Sequence, residues 1–153
     1  MGGIFPEVAR MHLVTLPLIV KLAGFLLAIL PLLIDNLRTG RVTNGNNLIL
    51  LLGGLAMLVL DRAMGWSDQS LLASAGWIIA GMAILFVLHL RIIDFPGGVA
   101  KTLMALLPWF TIESYLTVVS AGLLLAGLVG YATRRDAQVV PPLVIAGIVV
   151  LAL

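Results

Sequence analysis

The stretch Arg91-Ile92-Ile93-Asp94-Phe95-Pro96-Gly97-Gly98-Val99-Ala100-Lys101 places three charges, a proline and two adjacent glycines inside a very apolar chain. Bare lipid solvates neither charge nor unpaired backbone, so this stretch belongs at a membrane interface or inside protein. It divides long apolar runs on either side. A second polar segment, Asp35 to Asn47, interrupts the chain in the same way. If both lie at one membrane face, they form a site together.

Working outward, the 153 residues are 61% hydrophobic and only 10% charged, against about 25% charged in an ordinary soluble domain. A soluble chain of this length cannot hide several long uncharged runs, and a bilayer can. The expected class is therefore all-α: a polytopic membrane helical bundle of about six spans forming one domain over residues 1–153. The net charge of +2 rests on nine Lys/Arg whose positions matter more than their sum, and no nucleic-acid partner follows from it. With no cysteine, disulfides and cysteine metal sites are excluded. Glu7 and Arg10 beside Pro6 do not form the basic region and short apolar core of a cleaved signal peptide.

The expected spans are about His12–Ile34, Leu48–Leu60, Ser70–Leu90, Gly97–Phe110, Tyr115–Ala132 and Val139–Leu153. The first contains Lys21, read here as packed against polar backbone or reaching water, with a charge partner inside the bundle as the other reading. Asp35 to Asn47 reads as a polar loop with Asn-Gly turn chemistry and an asparagine suited to cap the next helix. Asp61 to Gln69 reads as a connecting turn, with Trp66 suited to the headgroup zone. Pro108-Trp109-Phe110 reads as part of an interfacial aromatic belt. Gly122, Ala126 and Gly130 share one helix face and fit tight packing, within the bundle or between copies.

Counting spans puts segments 35–47, 91–97 and 133–138 on one face, with Arg38, Arg41, Arg91, Arg134 and Arg135. The opposite connections hold only Arg62. The positive-inside rule makes the first face cytoplasmic and both termini non-cytoplasmic. Asp35 and Asp94 then share the cytoplasmic face. Two carboxylates so placed are what an intramembrane aspartic protease needs, because one activates water while the other, protonated, polarises the scissile carbonyl.

The order Asp35, Arg38, Arg41, Val42-Thr43-Asn44 and then an apolar run resembles the prepilin peptidase family, whose first motif is an aspartate, a basic stretch and an Ile-Pro-Asn-like helix entry. Pro96-Gly97-Gly98-Val99-Ala100-Lys101 resembles that family's Gly-x-Gly-Asp-x-Lys motif, and Pro141-Pro142-Leu143-Val144-Ile145-Ala146 its closing Pro-Tyr-x-x-Ala-Ile-like segment. The resemblance implies the short, tight-adherence-pilus type without the methyltransferase region, in a bacterial inner membrane, with Asp35 as a catalytic residue. Thr43 stands in place of the motif proline. Gly98 and Lys101 match the second motif, but Val99 occupies the position of its catalytic aspartate, and valine neither accepts nor donates a proton. Asp94 substitutes only if residues 95–98 fold back to bring its carboxylate to Asp35; otherwise Arg91 or Lys101 holds it, as Arg38 or Lys101 would hold Asp35.

Three functions follow as expectations. The first is a degenerate, non-catalytic member that binds a pilin-like or other membrane partner. The second is an active endopeptidase that cleaves pilin-precursor leaders with Asp35 and Asp94, and the third is a structural subunit of a larger membrane complex. No cofactor is expected: no residue set points to retinal, haem or quinone, and Gly97-Gly98 lacks the longer phosphate-cradling pattern. No metal is expected either, since His89 has no second ligand set and suits an interfacial, hydrogen-bonded role.

Overall fold

A computed structural model describes residues 5–91, 97–133 and 138–153, with side chains from residue 15 onward except Thr133. Six helices occur in the described residues: α1 (Phe5–Thr39), α2 (Asn44–Ala63), α3 (Leu71–Arg91), α4 (Gly97–Leu106), α5 (Ile112–Thr133) and α6 (Val140–Ala152). A 3₁₀ turn over Leu107–Trp109 follows α4. Four segments, Thr15–Thr39, Asn44–Ala63, Leu71–Arg91 and Ile112–Ala132, are long and apolar enough to cross a membrane. Large apolar side chains line their outer surfaces, among them Leu27 (74% exposed) and Leu72 (84%), as lipid-facing positions require. The chain is thus a helical membrane bundle. Two of the six expected spans are shorter than a bilayer needs: α4 has 10 residues and α6 has 13.

The polar segment Asp35 to Asn47 is largely helical rather than a loop. Thr39 Oγ1 donates to the Asp35 carbonyl at 2.8 Å, and Gly40 N–H donates to the Asn36 carbonyl at 2.8 Å from a left-handed backbone (φ 67°) that a glycine adopts without penalty. These contacts carry α1 beyond its apolar run. Thr43 holds the N-cap position of α2 without a side-chain bond, so the expected asparagine cap does not form. Asn44, Asn46 and Asn47 instead lie inside the first turn, where their amides reach other elements. At the other end of α2, Asp61 sits within the helix, not in a connecting turn. Pro141 and Pro142 open α6, where the missing N–H groups cost nothing.

The core is organised around the 3₁₀ turn after α4. Trp109 is 1% exposed and its Nε1–H donates to the Leu50 carbonyl at 2.8 Å. The expectation of an interfacial aromatic belt at 108–110 is therefore corrected: all three residues are buried. The reason is a notch in α2. A Cβ on Gly54 would lie 2.7 Å from both Pro108 Cγ and Trp109 Nε1, so only a glycine lets the ring in. Trp109 meets Phe25 of α1 edge-on at 5.3 Å, and Leu107 occupies the space beside Gly81 of α3. One short turn thus holds α1, α2 and α3 together. Gly122 faces Leu143 of α6 and Ala126 is buried, so the small-residue face of α5 packs within the bundle.

Candidate functional site

The polar end of the bundle is built by the last turns of α1 and the first turns of α2 and α4. Asp35 is half-buried. Its Oδ2 accepts a hydrogen bond from Asn46 Nδ2 at 3.3 Å, and the same amide nitrogen lies 3.3 Å from the Pro31 carbonyl. A neutral amide therefore holds this carboxylate. The expected ion pair with Arg38 or Lys101 is not formed: Lys101 Nζ donates instead to Asn44 Oδ1 at 2.9 Å, tying α4 to α2.

Gly98 and Val99 lie in the first turn of α4. A Cβ at Gly98 would approach Val42 Cβ to 3.3 Å, so glycine allows the short connection after α1 to rest against α4. Val99 is half-buried and packs against the hydrophobic core. Asn44, Gly98 and Lys101 are thus brought to one end of the bundle with Asp35. Asp94 and Pro96 lie outside the described residues, as do Arg134, Arg135 and Asp136.

Sequence reading missed the interior of this end. Thr102 is 1% exposed, and its hydroxyl has two acceptors in reach, the Gly98 carbonyl at 3.0 Å and Asn47 Oδ1 at 3.3 Å. Asn47 is 7% exposed, and its Nδ2 has no partner among the described residues. Turning the amide over changes which terminal atom lacks a partner but not the fact that one does. Three asparagines within four residues at the start of an apolar helix were the available signal.

The opposite end carries the one salt bridge between two described residues, Lys21 Nζ to Asp61 Oδ2 at 3.0 Å. Lys21 therefore has a charge partner in the bundle, which corrects the reading that it packs against backbone or reaches water. A cavity of about 70 Å³ lies here, bordered by the ion pair, Trp77, Trp109 and Thr111. That is the share of roughly two water molecules.

Among the described residues, Asp35 is the only carboxylate with a described side chain at its end of the bundle. Asp61 is paired with Lys21, Asp68 lies in the connection from α2 to α3, and Glu113 opens α5. No three described His, Cys, Asp or Glu residues are grouped to hold a metal ion. A single carboxylate accepts or donates a proton but does not divide the acid and base roles that peptide hydrolysis by paired carboxylates requires. Comparison with protein-family models, with curated proteins and with solved structures found no match.

Proposed function

We propose that this chain is a non-proteolytic membrane protein of prepilin-peptidase-like design that binds a pilin-like or other membrane partner at the polar end holding Asp35, Asn44 and Lys101. The observation that carries this reading is the pairing of one carboxylate, Asp35, with a valine in the first turn of α4, where the resembled motif has its second acid. Asp35 and Lys101 are each held by a neutral amide, an arrangement compatible with holding a segment of chain, and no second described acid shares the proton with Asp35. The excess of arginines at this end (Arg38, Arg41 and Arg91) supports a cytoplasmic position for it, with both termini outside the cytoplasm.

The test is co-expression with a pilin precursor in a strain lacking other prepilin peptidases. The reading expects the precursor to co-purify uncut, and expects cleavage neither from the wild type nor from Asp35→Asn or Asp94→Asn. Cleavage by the wild type that both substitutions abolish would replace this reading with an active Asp35–Asp94 enzyme.

A further inference from the structure

A groove runs from the polar end between α2, α3 and α4 and shares Asn44 and Lys101 with it. It is an open groove of about 230 Å³ bordered by Asn44, Asn47 and Lys101 at one end and by Leu51, Met82 and Met104 further along. Its polarity is graded along the helix axes. On α2 the order is Asn44, Asn47, Leu48, Leu51; on α4 it is Lys101, Met104, Ala105. The charged and amide groups therefore lie toward the helix ends and the hydrocarbon wall toward the bundle middle.

Two observations point to an occupant. The Lys101 ammonium is balanced by no described carboxylate, its bond going to the neutral Asn44 side chain. Asn47, 7% exposed, borders the groove with an amide atom that lacks any described partner. A buried amide atom without a partner is costly, and an occupant that supplies a polar group relieves that cost. We propose that this groove binds an anionic phospholipid, with its phosphate at Lys101 and Asn44, its polar glycerol region at Asn47 and one acyl chain along Leu51, Met82 and Met104. The acyl chain leaves one hydrocarbon environment for another, so it adds little selectivity. Selectivity comes from the Lys101 charge, which favours an anionic headgroup over a zwitterionic one, whereas the amide of Asn47 adds affinity for either.

The experiment reconstitutes the full chain in phosphatidylcholine bilayers with spin-labelled phosphatidylglycerol or phosphatidylcholine and compares their motionally restricted fractions. Wild type prefers phosphatidylglycerol roughly fivefold, the effect of one interfacial cation. Lys101→Gln removes that preference, whereas Arg41→Gln, at an exposed position outside the groove, preserves most of it. Met82→Trp fills the groove and lowers the restricted phosphatidylglycerol. Equal association of both lipids with wild type overturns the proposal, and so do equal losses in the Lys101 and Arg41 variants or an unchanged fraction in Met82→Trp. A disulfide-linked dimer formed through Leu48→Cys would assign the groove to a second copy of the chain and also overturn it.

Discussion

Lys21 and Asp61 meet at 3.0 Å although 40 residues separate them, and their ion pair fastens α1 to the last turn of α2. The Lys21 side chain is 33% exposed and that of Asp61 14%, so the pair is neither fully screened nor dry. Removing one partner leaves a partly desolvated charge without compensation. Lys21→Met or Asp61→Asn is expected to cost about 1–2 kcal/mol, between the values for exposed and buried pairs. The double variant should recover part of that loss. Thermal unfolding in detergent, arranged as a double-mutant cycle, reads the coupling directly.

The notch that admits Trp109 predicts a contrast between two glycines. A Cβ at Gly54 would meet Pro108 and Trp109 at 2.7 Å, and neither ring can swing away, whereas a Cβ at Gly76 meets nothing within 4 Å. Gly54→Ala should destabilise by roughly 1–3 kcal/mol through overpacking. Gly76→Ala should be neutral or slightly stabilising, by up to about 1 kcal/mol. Melting temperatures of the two variants, measured side by side, check both signs.

Asn47→Leu is expected to leave stability unchanged or raise it by about 1 kcal/mol, because it replaces a buried amide with one unpartnered atom by an apolar group of similar volume. Thr102 keeps its bond to the Gly98 carbonyl. The same variant should weaken retention of anionic lipid. Denaturation and lipid association measured on one preparation would move in opposite directions.

Gly122 tests whether the small-residue face of α5 serves the fold or an oligomer. A Cβ there would lie 2.6 Å from Leu143 Cδ2 and 3.0 Å from Leu143 Cα, and backbone yields less readily than a side-chain tip. Gly122→Ala should therefore lower the melting temperature without changing the oligomeric state. A variant that keeps its stability but loses a dimer on size-exclusion chromatography would contradict the packing of α5 on α6.

Hydropathy made the helices legible, because apolar runs bounded by charge mark their positions within a few residues. Their ends were less legible. Asp35 to Thr39 look like loop residues, yet a Thr39 back-bond and the left-handed Gly40 keep them helical, and both depend on backbone geometry that residue type alone does not set. Lys21 looked isolated because its partner comes from a distant segment, and alignment of two helices has no local signature. For Trp109 the sequence alone suggests the residue's usual place at interfaces. Its burial follows from Gly54, 55 positions earlier, and from the Leu50 carbonyl that takes its N–H. At the candidate site, Asp35, Asn44, Gly98 and Lys101 were visible as charged, amide or glycine residues in polar segments, whereas Asn47 and Thr102 gained significance only from their burial.

The shortness of α4 bears on how the protein is made. Ten residues carry too little hydrophobic length for a nascent segment to partition into the bilayer unaided. Lodging of the indole at Leu50 supplies what length does not, and its receptor exists only after α2 is in place. This geometry predicts sequential biogenesis, an early hairpin serving as template for a later tuck, and lesions in the hairpin should surface as failed membrane integration of residues synthesised long afterward.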